Sequence, residues 1–243
     1  MKGLTAAALA ALMVSMGATA QAAPPAFVAA AVADAGRPAT DRERDASRKP
    51  AEVLAFAGVR PGMVVAELAP GKGYYTRLLA KAVGPNGKVL ALVTQSQLAR
   101  PGYQDVLNAL TAAYPNVTVL TVDYTALALP QKVDLVWTTE NYHDFHNGPT
   151  ANIAALDKGV HDSLKPGGVF YVEDHSAAPG AGLEATSKVH RMDEAIAKTE
   201  LMAAGFRIAA ESDLLRNPGD NRAASNSEVG HFVSDRFMLR AKT

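Results

Sequence analysis

The sequence predicts an α/β fold built on one mostly parallel β-sheet with helices on both faces. Three observations predict it: short β-branched runs alternate with helical patterns, a glycine-bearing turn joins the first strand to its helix, and there is apolar material for a single large core. The 243 residues carry 24 basic and 24 acidic side chains and are 48% hydrophobic, which suits one domain with appendages. Alternating strands and helices imply parallel strands covered on both faces. The balanced charge and the lack of a basic run argue against a nucleic-acid partner.

Taken in order, Lys2, the apolar stretch Leu4 to Gly17 and the small-x-small Ala20-Gln-Ala22 read as a signal peptide over residues 1–22, cleaved after Ala22. The apolar stretch is shorter than the roughly 20 residues a membrane-spanning helix needs, so no stable anchor is expected after processing. A lipoprotein anchor is excluded by the absence of cysteine. The expected location is the bacterial periplasm or the medium. Residues 23–40, with prolines at 24, 25 and 38, read as a linker. The domain proper is expected over 41–243, beginning with a helical extension. Its Asp41 to Lys49 run mixes both signs and reads either as a solvated helix face or as a segment folding over a bound ligand. Pro50 begins a helix through Val53, Leu54 and Phe56, with Gly58 as its stop.

Met63 to Glu67 is the first strand, and Leu78, Leu79, Ala82 and Val83 recur at helical spacing after it. Gly71 and Gly73 sit between them, where glycine lets the backbone turn with positive φ and approach a ligand closely. Further strands are expected at Lys88–Val93, Val117–Val122, Val133–Trp137, Val169–Val172, Arg207–Glu211 and Arg236–Arg240. His190 to Glu194 is expected on a helix running toward Ala204, and residues 212–227 as a long polar loop.

The motif Glu67-Leu-Ala-Pro-Gly71-Lys-Gly73 resembles the first motif of the class I S-adenosylmethionine-dependent methyltransferases. A dinucleotide fold would place a third glycine at position 76, which is Thr, and the phosphate-loop pattern is absent. Leu164-Lys-Pro-Gly-Gly168 is similar to the turn before the fifth strand of that family. Asn141 to Asn147, Glu173 to Ser176 and His190 to Glu194 resemble a group of exported bacterial predicted methyltransferases. The resemblance implies a Rossmann-like sheet of seven strands, the last antiparallel, and S-adenosylmethionine as cofactor with an unidentified small-molecule acceptor.

The resemblance also implies a donor site. Glu67 would face the donor's ammonium or, alternatively, cap the next helix. The backbone of Ala69, Pro70, Gly71 and Gly73 would lie against its amino-acid and ribose portions. Asp123 would reach the adenine, with Tyr124 packing beside it, unless Asp123 simply opens a turn. Glu140 and Asn141 fall where donor or substrate is contacted. One departure stands out: the second strand ends in Thr94 and Gln95, with no acid for the ribose hydroxyls.

Loops after parallel strands gather at one edge of the sheet, which makes His143, Asp144 and His175 candidates for catalysis, with either histidine as a base. His146 and Asp174 fall in the same loops. Two other readings stay open: a binding or stress-related protein with a degenerate donor site, and a metal-dependent hydrolase using His143, His146 and His175. No metal is assigned.

Overall fold

A computed structural model describes residues 24–230 and 233–243. The expected signal peptide, residues 1–22, lies outside the described residues, and no described helix is long and apolar enough to cross a membrane.

Seven strands form one sheet: β1 (Val64–Leu68), β2 (Lys88–Val93), β3 (Val117–Thr121), β4 (Val133–Thr139), β5 (Leu164–His175), β6 (Arg207–Ser212) and β7 (Arg236–Lys242). Their order is β3-β2-β1-β4-β5-β7-β6. The first five run parallel, while β7 is antiparallel to both β5 and β6. This is the seven-stranded, mostly parallel Rossmann-like sheet that the sequence predicts. The order reverses between β1 and β4, so the ends of these strands diverge into loops and open a crevice.

Successive side chains point to opposite faces of a strand, and β1 supplies both cores. Val65 joins Leu78, Leu79, Val53 and Trp137 on one face, while Ala66 and Leu68 join Leu92, Tyr142, Leu156 and Phe170 on the other. Trp137, the chain's one tryptophan, stands between Tyr75 and Tyr171 with ring centroids 4.9 and 4.2 Å away. The helix Tyr74–Val83 follows β1 and buries the expected Leu78, Leu79, Ala82 and Val83. The helix Pro50–Ala57 has its proline in the first turn and stops at Gly58, which is left-handed at φ 81°.

The amino-terminal segment differs from expectation. Residues 26–32, expected as linker, form a helix that buries Val28 and Ala31 against the core that holds Leu78 and Leu79. The prolines explain the difference: Pro25 and Pro38 stand immediately before helical turns, where a missing N–H is no loss. The charged run 41–49 is a solvated face only in part. It forms two short helical turns, Ala39–Arg42 and Asp45–Arg48, in which Asp41 and Arg48 are buried and Arg44 and Asp45 half-buried, while Arg42, Glu43 and the following Lys49 stay exposed. Arg77 Nη1 donates to Asp41 Oδ2 at 2.8 Å. Buried Arg37 donates twice to Asp45, at 2.9 and 2.6 Å, and Tyr74 donates its hydroxyl to the same carboxylate at 2.6 Å. The Arg48 guanidinium lies 4.8 Å from the Tyr74 ring centre.

His190 also departs from its expected helix. The helix begins at Glu194, capped by Asp193. Met192 is instead drawn into a bridge with Ser176 at the end of β5, so His190 and Glu194 share no helical face.

Candidate active site

The crevice is built from the ends of β1 and β4. After Leu68 the chain turns through three left-handed residues, Ala69 (φ 48°), Gly71 (φ 56°) and Gly73 (φ 81°). A Cβ at Gly73 would come within 2.6 Å of the Leu110 side chain, whereas one at Gly71 would meet nothing. The first glycine is therefore exposed to the crevice and the second is clamped by packing. Ala69 N donates to Leu92 O at 3.0 Å and to the Tyr124 hydroxyl at 3.0 Å. That hydroxyl donates in turn to Leu92 O at 2.9 Å. Tyr124 thus braces the loop against β2.

Glu67, next to last in β1, is buried and accepts a hydrogen bond from the Thr76 hydroxyl at 2.6 Å. Burial raises its pKa to about 7, against the weaker opposing effects of Thr76 and Arg77. Two lobes open beside this loop. The smaller, of about 230 Å³, holds Glu67 together with Arg44, Arg48 and Tyr74. The larger, of about 550 Å³, is lined by Thr94, Asp123, Tyr124, Asp144, Phe145 and neighbours. Ala69, Gly71 and Asn141 line both. All ten sequence-predicted cofactor residues except Gly73 line one lobe or both.

Their side chains are committed to different degrees. Asn141 Nδ2 donates to the carbonyls of Leu68 and Ala69 at 3.3 and 3.2 Å, so it ties β4 to the loop. Thr94 and Gln97 form a reciprocal cap on the helix Gln95–Leu98, so the polar groups at this strand end are neutral and already hydrogen-bonded to each other's backbone. Asp123 Oδ1 accepts from Thr125 N and its hydroxyl, both at 2.8 Å, so the turn reading applies while its side chain still reaches the larger lobe. Glu140 is left-handed at φ 54° and is bound by Arg48 and by Arg236 Nη1 at 2.9 Å. Burial opposes its ionisation, but Arg48 and Arg236 overcome this and hold its pKa low. Glu140 lines the smaller lobe as half of an ion pair.

The histidines separate. His143 Nδ1 lies 2.8 Å from Asp174 Oδ1, and Asp144 Oδ1 is 3.3 Å from its Nε2. Burial works against charge on His143, yet Asp174 and Asp144 outweigh it and lift the pKa to about 10. At neutral pH His143 is an imidazolium, which has no lone pair to act as a base. His175 is buried, with Nδ1 2.6 Å from Ser234 Oγ, and burial pushes its pKa down to about 4. It lines neither lobe. Of the three catalytic candidates, Asp144 alone lines a lobe, the larger one. The expected hydrolase triad is also dispersed, because His146 turns away to Glu200, 3.0 Å from its Nε2. The signals that sequence reading missed are Arg44 and Arg48, which reach the smaller lobe from a segment 19 or more residues before Glu67.

No protein-family model matches the chain. Over 124 residues it is 31% identical to the ubiquinone/menaquinone biosynthesis C-methyltransferase UbiE of Hydrogenovibrio crunogenus, covering 51% of this chain and 46% of that protein. The match thus spans about half the length of this curated relative. An S-adenosylmethionine-dependent methyltransferase from Aquifex aeolicus superposes with a TM-score of 0.59 at 21% identity, over 85% of this chain and 98% of the other. One from Mesorhizobium loti gives 0.57 at 19% identity, over 82% and 100%. The chain has the fold of the S-adenosylmethionine-dependent methyltransferases.

Proposed function

We propose that the chain binds S-adenosylmethionine across both lobes, its amino-acid end in the smaller and its nucleoside in the larger, and transfers its methyl group to a small-molecule acceptor held beside it. The observation that carries this reading is the pair of lobes meeting at Ala69, Gly71 and Asn141, with a buried acid and two arginines at one end. A ligand with an amino-acid end, a central cation and a nucleoside matches that sequence of groups. Glu67 would hold the ammonium, Arg44 and Arg48 favour the carboxylate, and Gly71 admits close approach of the ligand. Asp123 and the neutral cap of Thr94 and Gln97 border the nucleoside lobe. The name of the relative from Hydrogenovibrio crunogenus is consistent with methyl transfer.

The bound donor supplies an activated methyl group; this chain's residues orient the acceptor and exclude water. Transfer is an in-line displacement that depends chiefly on holding the acceptor against the methyl group. With His143 protonated and His175 buried, neither histidine takes the acceptor's proton, so an acceptor that is already nucleophilic is favoured.

Isothermal titration with S-adenosylmethionine and with S-adenosylhomocysteine tests the reading. One-to-one binding of both is expected, with a thermal stabilisation of about 2.7 kcal/mol at a hundred times the dissociation constant. No heat and no stabilisation at millimolar ligand would refute it. Export to the periplasm or medium is part of the same proposal and rests on residues 1–22; terminal sequencing of the protein recovered from cells should begin at Ala23.

A further inference from the structure

One cluster at the crevice is unused by the proposed donor site. His143 and Asp144 lie in the short 3-10 turn after β4, and His190 reaches them from the segment that follows the helix Glu184–Lys188. Asp144 Oδ1 is 3.3 Å from His143 Nε2 and 3.8 Å from His190 Nδ1. One ligand atom from each of the three lies within 4.8 Å of the others. The two imidazoles meet edge to face at 5.8 Å.

The arrangement is held from behind. Asp174, fully buried, accepts from the backbone N of His143 at 2.6 Å and from its Nδ1 at 2.8 Å. That contact fixes the ring and leaves Nε2 as the outward nitrogen, the way a carboxylate orients a metal-bound histidine. His190 is left-handed at φ 51°, a conformation that costs a non-glycine residue energy and persists where its surroundings impose it. Here Asn226 Nδ2 donates to His190 O at 2.8 Å, and the adjacent Arg191 is locked by a buried pair with Asp220 at 2.8 Å.

The geometry points to a two-histidine, one-carboxylate site for a divalent transition metal, formed by His143 Nε2, Asp144 and His190 Nδ1. Nitrogen and oxygen donors in this ratio suit zinc or a similar ion, whereas magnesium and calcium take oxygen ligands. In a tetrahedral zinc site with metal–ligand bonds of about 2.1 Å, two ligand atoms stand roughly 3.4 Å apart. The widest separation therefore closes by up to about 1.4 Å, a rotamer change open to the exposed Asp144 and His190 side chains as they turn toward buried His143. Binding displaces the Nε2 proton of His143 to solvent, and the doubly charged ion then balances the two negative charges of Asp144 and Asp174. Because Asp144 lines the larger lobe, the ion would stand at its rim with positions left for an anionic oxygen or sulfur of an occupant. That last role rests on the methyltransferase reading; the metal site does not.

The test uses the untagged chain, stripped with a chelator and dialysed. Titration with zinc chloride should give one ion per chain, and magnesium chloride should give no binding. Cobalt(II) should produce visible absorption bands of a coordinated ion. His190→Asn, which tolerates the left-handed backbone, should weaken zinc binding at least tenfold and abolish the bands while leaving the metal-free melting temperature and S-adenosylhomocysteine affinity unchanged. Absence of stoichiometric zinc binding, or an unchanged zinc affinity in His190→Asn, would overturn the assignment. The S-adenosylhomocysteine titration of the stripped chain reports separately on the donor site, so the two readings fail independently.

Discussion

Glu67 is the most exacting place to perturb the donor site, because its environment fixes both a sign and a size. Its carboxyl is buried and titrates at about 7, raised from 4.5 chiefly by burial. A bound ammonium favours the ionised form, so donor affinity must rise as the free carboxyl deprotonates. With a pKa near 7, about one carboxyl in eleven is ionised at pH 6 and about half at pH 7, a gain of about fivefold in affinity. The donor's own amino group, with a pKa of roughly 8, stays mostly protonated across that range. Glu67→Gln keeps an oxygen for the Thr76 hydroxyl but cannot ionise; it should bind more weakly at pH 7 and show none of this rise. Stability gives an independent check. The folded pKa lies above the unfolded one, so the fold is favoured below pH 4.5 and loses that advantage as the pH climbs to about 7. The full difference is about 3 kcal/mol, which the glutamine variant should recover at pH 8. Calorimetric titrations at pH 6 and 7 and urea melts at pH 5 and 8 measure both. A wild-type affinity flat between pH 6 and 7, or an equal slope in Glu67→Gln, would refute the assignment of Glu67 to the ammonium.

Three further outcomes are expected. Asp157, buried beneath the Tyr142 hydroxyl at 2.8 Å, titrates at about 7 because of burial; its stabilising contribution is complete below about pH 3.8 and lost as the pH rises through 7. Asp157→Asn should therefore raise the urea midpoint at pH 8 and not at pH 4. Tyr124→Phe removes the hydroxyl that joins Ala69 N to Leu92 O; it should cost about 1–3 kcal/mol in chemical denaturation and weaken donor binding by loosening the loop. Arg236 Nη1 donates to Glu140 and Glu173 at 2.9 Å each, so Arg236→Met strands buried carboxylates. A loss of about 3–5 kcal/mol is expected, read as a melting temperature lower by roughly 6 to 20 °C, with partial recovery in the double variant that adds Glu173→Gln.

What the sequence made legible was local. β2 occupies its expected residues, Gly58 ends its helix, and Gly71 and Gly73 lie between β1 and its helix, because strand runs, stops and turns are written in adjacent side chains. What stayed hidden depends on partners distant in the chain. Arg48 meets Glu140 across 92 positions and Arg236 meets it across 96, so a charged run that reads as solvated is pinned down instead. His143 reads as a base from its ordinary titration near neutrality; Asp174, 31 residues away, turns it into a cation. Prolines before residues 26 and 39 read as linker signals when their neighbours are unknown, and as helix starts once Val28 and Ala31 have a core to enter.

The buried ion pairs also decide which group controls the small lobe. Arg48 and Arg236 face Glu140 and Glu173, two positive charges against two negative ones. Breaking any one of them leaves an uncompensated charge away from water, which costs more than the pair contributes. The network therefore holds the amino-terminal segment, β5 and β7 in fixed register. Glu67 stands outside it, with Thr76 as its hydrogen-bond donor and a pKa at neutrality. The rigid network sets the shape of the lobe, and Glu67 sets its charge: less negative at pH 6 and more so at pH 8. A cationic ligand end should be sensed at this one residue, while disruption of the ion pairs should change affinity only together with stability.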